Sequence, residues 1–221
     1  MGKFFLRPWD YHDNLMDMRY AIDHKDKSRS LILRSAATQL RAKGVEAVRL
    51  ADMMHAAGMT NGGFYKHFSS KDEIVVEAVG SALAEVAEQL TSRVQGVPRR
   101  QALRAIIEFY LSEEHLQHPE HGCAIAALGS ELARLPLRLK RCVSEDLEAY
   151  ERRLSPLMPG DSDAQRHTAF LVLFSSMAGC LTAARAEADE QKRSDILSAG
   201  RTFFVRAFCE AYGKSLEEEW Q

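Results

Sequence analysis

Residues 56–73 read AAGMTNGGFYKHFSSKDE, with two adjacent glycines, Gly62 and Gly63, where a helix should be starting. Glycine weakens a helix by about 1 kcal/mol relative to alanine. Its doubling beside Phe64, Tyr65, Lys66 and His67 therefore needs a reason. Just upstream, Leu50, Met53, Met54 and Ala57 recur at helical spacing and define a short helix over about 50–57. Gly58 follows as the expected left-handed cap, and Thr60 is placed to cap a third short helix over about 61–67. Two short helices joined by a glycine-containing turn form a helix-turn-helix, whose second helix enters the DNA major groove. In that second helix Phe64 and Phe68 share one face and anchor it to a core, leaving Asn61, Gly62, Tyr65 and Lys66 for a partner.

The glycines suit that partner. Without side chains at Gly62 and Gly63, the helix start can approach a nucleic-acid backbone closely, and its free N–H groups attract phosphate. Lys66 and Lys71 add charge, Tyr65 can donate to phosphate, and Asn61 can read an adenine edge. The bland alternative is a short connector whose glycines relieve crowding.

Charge is distributed to match. From Met18 to Lys71 there are ten Lys and Arg against four Asp and Glu, whereas from Asp72 to Gln221 there are seventeen against twenty-four. A basic front on an acidic body fits contact with a polyanion through the front. Cys123, Cys142, Cys180 and Cys209 are widely spaced and form no CxxC pair, and no signal peptide is evident, so a reducing cytoplasm is expected. The longest uncharged run, Thr168–Ala184, is short of the ~20 apolar residues of a spanning helix and contains several polar ones, so it reads as a buried helix with no membrane role.

Elsewhere the periodicity is helical and strand alternation is absent. A first helix is expected from Ser28 to Gly44, with Leu31, Ile32, Ala36 and Leu40 inward. Ser70 and Glu73 form an S-x-x-E capping box for a fourth helix through about Arg93. Further helices are expected over about 98–117, 123–135, 136–157, 164–186 and 190–212. The fold class is all-α: an N-terminal extension or arm (1–27), a helix-turn-helix DNA-binding domain (28–72) and a larger helical ligand-binding and dimerisation domain (73–221). Residues 1–17 match nothing that follows, and Met18 looks like a natural start.

The stretch VRLADMMHAAGMTNGGFYKHFSSKDEIVVEA, within a match from about Ser28 to Ala78, resembles the DNA-binding domain of TetR-type transcriptional regulators. That family shows a short helix ending in A-A-G, a hydrophobic-Ser/Thr pair, a few small residues, F/L-Y-x-H-F and S-K-(D/E). The resemblance implies phosphate contacts from Thr60, Tyr65 and Lys71, and base-facing positions for Asn61, Gly62, Gly63 and Lys66. His67 matches the His of the motif, as a packing, backbone or base contact. Arg49 departs from the Thr or Ser common just before the second helix and is assigned a charge contact instead. The rest of the chain matches in helix count, apart from GCAIAALGSE (122–131), which looks like a stretch of one subset of the family.

The resemblance also implies a homodimer on a pseudo-palindromic operator in double-stranded DNA, paired through the last two long helices. Ser175, Ser176, Gly179 and Ala183 offer close approach there, and Phe203, Phe204 and Phe208 offer apolar bulk. It implies a pocket for a small-molecule effector, sought among Phe109, Tyr110, Cys123, Leu128, Tyr150, Phe170, Phe174 and Met177. The function expected is a ligand-responsive repressor released from its operator by that effector, without a cofactor. A second reading is a redox, electrophile or metal sensor using Cys123 or the cluster His115, His118 and His121, although that spacing matches no standard zinc pattern. Catalysis is not expected, because G-x-S-x-G, H-E-x-x-H and P-loop patterns are absent.

Overall fold

The computed structural model describes residues 9–210, with side chains from Asp26 onward. Among these residues every regular element is a helix, so the all-α class holds. Helix α1 runs Trp9–Lys43, far upstream of the start expected at Ser28; residues 1–8 lie outside the described range. Apolar periodicity marks only where a helix packs, whereas the backbone between Pro8 and Gly44 contains no helix breaker and propagates freely. Gly44, at φ +84°, ends it.

Helix α2, Leu50–Ala56, buries Met53 and Met54 completely. Gly58 adopts φ +74°, and the Met59 N–H returns to the Met54 carbonyl at 2.8 Å, the left-handed stop read from the sequence. The next element is a 3-10 helix, Asn61–Lys66, and not the expected α-helix. Gly63 N bonds Thr60 O (3.0 Å) and His67 N bonds Phe64 O (2.8 Å), the tighter i+3 pattern that suits a glycine-weakened start. Phe64 and Phe68 stack at 5.5 Å between ring centres and are 1% and 2% exposed, so they are the anchor. The Thr60 hydroxyl makes no cap hydrogen bond, correcting the cap assigned to it.

Helix α3, Lys71–Arg93, starts with Ser70 Oγ accepting from Glu73 N at 3.1 Å. The return half of the box goes elsewhere, since the Glu73 carboxylate accepts from Ser69 N at 2.6 Å. The body follows as α4 (Arg99–Tyr110), α5 (Glu113–Gln117), α6 (Ala124–Leu132), α7 (Leu137–Leu154), α8 (Asp163–Ala186) and α9 (Glu190–Phe204), with α9 continuing as a π-helical turn through Glu210. The expected continuous helix over 98–117 is broken at Leu111. Ser112 caps α5 by accepting from His115 N at 3.1 Å, and Arg201 of α9 donates to the Leu111 carbonyl at 2.5 Å, so side chains hold the break open. The expected end of the last helix at Tyr212 lies outside the described residues.

Helix α3 packs against α1 on one side and α7 on the other, and the buried apolar side chains run on as one core. Helix α8 is the one helix, among the described residues, long and apolar enough to cross a membrane. Its stripe Phe170, Leu173, Phe174, Met177 and Leu181 is buried within the chain.

Candidate nucleic-acid interface and effector cavity

The short helix after Gly58 presents an outer face that the chain itself does not use. Arg49, Thr60, Asn61, Gly62 and Lys66 are exposed, and Tyr65 is 75% exposed, its ring edge-on to Phe64 at 5.2 Å. Neither Gly62 nor Gly63 has positive φ. A Cβ built on Gly62 meets nothing within 4 Å, and one on Gly63 meets only the Met54 terminal methyl at an ordinary 3.6 Å. Neither backbone conformation nor internal packing therefore requires these glycines.

Two of the expected contacts sit further inside. Lys71 Nζ donates to the Val45 carbonyl at 2.8 Å, which commits one of its three N–H donors within the chain. His67 is half-buried, and its carbonyl accepts from Arg29 Nε at 3.4 Å. Arg29 also pairs with Glu77 at 2.5 Å and lies 4.7 Å over the Phe68 ring. His67 is thus on the seam where the 3-10 helix is fastened to α1. Arg49 precedes α2, with its N–H on the Asp52 carboxylate at 3.3 Å.

In the body, Tyr110, Cys123, Tyr150, Phe170 and Phe174 line one cavity of about 340 Å³ between α4, α6, α7 and α8. Phe109 faces a different cavity of about 660 Å³, with the Arg93 guanidinium 3.9 Å over its ring. Leu128 and Met177 line neither; at 2% and 0% exposure they are core, which corrects their assignment as pocket wall. The sequence reading missed Leu147, Glu148, Glu151 and His167. Val143, Leu147, Tyr150 and Leu154 do form a helical stripe on α7, but spacing cannot tell which part of a stripe fronts a void.

The histidine cluster does not converge. The Cys123 N–H donates to His115 Nε2 at 3.0 Å, so that nitrogen carries the lone pair and Nδ1 the proton, donated to the Tyr110 carbonyl at 2.7 Å. Both ring nitrogens are engaged, and burial pushes the His115 pKa down to about 4. His118 is exposed and pairs with Glu120 at 3.2 Å. The metal-sensing reading of His115, His118 and His121 fails on this geometry.

On the outer face of α8 and α9, Ser175, Gly179, Ala183 and Phe203 are exposed, while Ser176 and Phe208 are half-buried. Phe203 is 64% exposed, and Leu171 and Val172, not singled out in the sequence, are 47% and 52% exposed on α8. Phe204 is only 5% exposed. It belongs to the chain's own core, which corrects its assignment to a partner surface; adjacent helical residues point about 100° apart.

Residues 32–78 match the family described as bacterial regulatory proteins, tetR family. Over 98 residues the chain is 31% identical to the uncharacterized HTH-type transcriptional regulator YfiR of Bacillus subtilis (strain 168), covering 44% of this chain and 46% of that one. Over 130 residues it is 27% identical to the HTH-type transcriptional repressor KstR2 of Mycobacterium tuberculosis, covering 57% and 62%. The match thus spans about half to three-fifths of the length of these curated relatives. A solved TetR-family regulator from Cytophaga hutchinsonii superposes with a TM-score of 0.66 over 84% of this chain and 96% of that one, at 19% identity. At that identity the likeness is one of fold.

Proposed function

Because the chain belongs to the tetR family of bacterial regulatory proteins, we propose that it is a dimeric repressor whose hold on an operator is released by a small molecule bound in the body. The observation that carries the DNA half is the open space around Gly62: nothing inside the chain asks for a glycine there, so the demand comes from outside. A backbone approaching a groove needs that missing side chain. Thr60, Asn61, Tyr65 and Lys66 surround it with donors and one charge, and Arg49 and Lys71 flank it at the helix starts. Residues 28–72 are the reading module and 73–221 the sensing and pairing module, working in the cytoplasm without a cofactor.

The sensing half rests on the aromatic cavity between α4, α6, α7 and α8, which lies within the roughly 300–1,000 Å³ range of small-molecule sites. Pairing through the exposed face of α8 and α9 would present two reading helices to a pseudo-palindromic operator. Occupying the cavity then shifts the population towards a conformation in which those helices no longer fit, and DNA must weaken effector binding by the same factor.

Fluorescence anisotropy with the DNA upstream of the protein's own gene, beside scrambled DNA at two salt concentrations, tests this reading. Binding that prefers the upstream DNA, weakens with salt and fails in a Tyr65→Ala/Lys66→Ala variant is expected. Equal binding to both DNAs, or none at low salt, overturns it.

A further inference from the structure

The cavity of about 340 Å³ is walled mainly by aromatic and aliphatic side chains, yet two of its lining residues, Tyr110 and Tyr150, carry hydroxyls buried in the wall. The hydroxyl oxygens of Tyr110 and Tyr150 are buried, that of Tyr150 with no hydrogen-bond partner and that of Tyr110 with only the Cys123 thiol beside it, in residues only 1% and 4% exposed. A buried hydroxyl left in this way costs about 1–3 kcal/mol, and folded chains tolerate few. Tyr110 has the Cys123 thiol as its polar neighbour, a weak partner for an O–H group.

The rings cannot swing away to find better partners. Tyr110 is edge-on to His115 at 4.8 Å and to Phe174 at 5.9 Å. Tyr150 is edge-on to Phe174 at 5.5 Å and to Phe170 at 5.9 Å. Burial raises both phenols well above their ordinary pKa, so each remains a protonated donor.

Charge around the site narrows the class further. Glu148 and Glu151 lie on the lining, and the lining His167 has its Nδ1 on the Glu151 carboxylate at 2.5 Å. Arg185 is outside the lining, with Nε and Nη2 donating to the Leu116 and His115 carbonyls at 3.3 and 2.7 Å. A carboxylate guest would meet Glu148 and Glu151 with no Lys or Arg on the lining itself.

The geometry points to a compact, neutral, largely apolar molecule bearing a carbonyl oxygen as the guest of this cavity, the oxygen accepting from Tyr110 and Tyr150. Its apolar body lies against Phe170, Phe174 and Leu147. As an effector assignment this rests on the reading of the body as a sensor; as a binding site it stands on the cavity alone.

The test uses the ketone dye PRODAN, a neutral naphthalene whose emission reports both polarity and hydrogen bonding at its carbonyl, titrated into the full chain. Its dimethylaminonaphthoate counterpart, with a carboxylate in place of the ketone, is the charged control. Saturable PRODAN binding is expected, with affinity falling about tenfold in Tyr110→Phe and in Tyr150→Phe. Bound emission should move further to the blue in each variant as a hydrogen bond is lost, and the carboxylate should bind more weakly than the ketone. Absence of saturable binding, equal affinity in both variants, or tighter binding of the carboxylate overturns the assignment. Thermal unfolding guards against misfolding: both variants should melt at or above the wild-type temperature, because each removes a buried hydroxyl that the fold leaves unpaired or weakly paired. A lower melting point would show that the hydroxyls hold the fold together, and would also overturn it. Operator anisotropy on the same preparation separates the two readings, since dye binding without DNA binding sinks only the regulator, and DNA binding without dye binding sinks only this site.

Discussion

Arg41 of α1 donates through Nη1 to the carbonyl of Gly122 at 2.8 Å, across 81 residues of sequence. The guanidinium is buried, with Nε on the Ala37 carbonyl at 3.1 Å and Nη2 on Glu85 at 3.0 Å. Gly122 is pressed against His115, since a Cβ there would lie 2.3 Å from Nε2, and the next residue, Cys123, is part of the wall of the 340 Å³ cavity. A second tie lies close by, where Glu131 of α6 accepts from Val45 N at 2.7 Å while Lys71 holds the Val45 carbonyl at 2.8 Å. Helix α1 and the cavity wall thus meet at the Gly122–Cys123 peptide, whose carbonyl accepts from Arg41 and whose N–H donates to His115, a contact through which movement of one would reach the other.

Replacing Arg41 by Met keeps much of the volume but leaves the Gly122 carbonyl without its donor and Glu85 without its partner. A loss of about 2–4 kcal/mol is expected in urea unfolding. A change under about 1 kcal/mol would mean that the contact is incidental.

Gly62→Ala separates stability from function. The site has negative φ and open space where the methyl would go, and alanine narrows the unfolded ensemble, so the variant should be unchanged or more stable by up to about 1 kcal/mol. Its operator affinity should nevertheless fall about tenfold or more, because the methyl stands where the DNA backbone approaches. Anisotropy and thermal unfolding on one preparation read both quantities. Undiminished affinity would remove Gly62 from the interface.

Much of this was legible in the residues. The stop at Gly58, the Phe64–Phe68 anchor and the Ser70 cap follow from local chemistry, acting over three or four residues. What spacing alone could not give was which of several competing partners a group takes. Arg201 reaching the Leu111 carbonyl splits a helix that propensity alone would continue. Glu73 prefers Ser69 N over the box partner its spacing implies. The cavity was half legible: aromatic spacing found Tyr110, Tyr150, Phe170 and Phe174, but Leu128 and Met177 carry the same apolar signal and lie in solid core.

His115 gives a pH signature. Its folded pKa, near 4, lies below the ordinary value of 6.5, so the unfolded chain binds its proton first as pH falls. Its contribution is fully present above about pH 6.5 and is lost progressively down to about pH 4, at about 1.4 kcal/mol per pH unit at most. His115→Gln, which can still donate and accept, should flatten the decline in melting temperature across that window. An unchanged slope would assign the acid sensitivity to other groups.

Phe203 and Phe204 should behave differently although they are neighbours. Phe203 is 64% exposed on α9, as Leu171 and Val172 are at 47% and 52% on α8, whereas Phe204 is 5% exposed within the chain's own core. If the exposed face of α8 and α9 pairs two copies, Phe203→Glu places a charge in an apolar contact and should convert a dimer to a folded monomer of near-normal helicity, seen by light scattering behind size exclusion. Phe204→Ala should instead destabilise the chain by about 3–5 kcal/mol through the cavity it leaves, whatever the assembly state. A dimer that survives Phe203→Glu with unchanged dissociation would place the pairing surface elsewhere, and with it the spacing of the two reading helices.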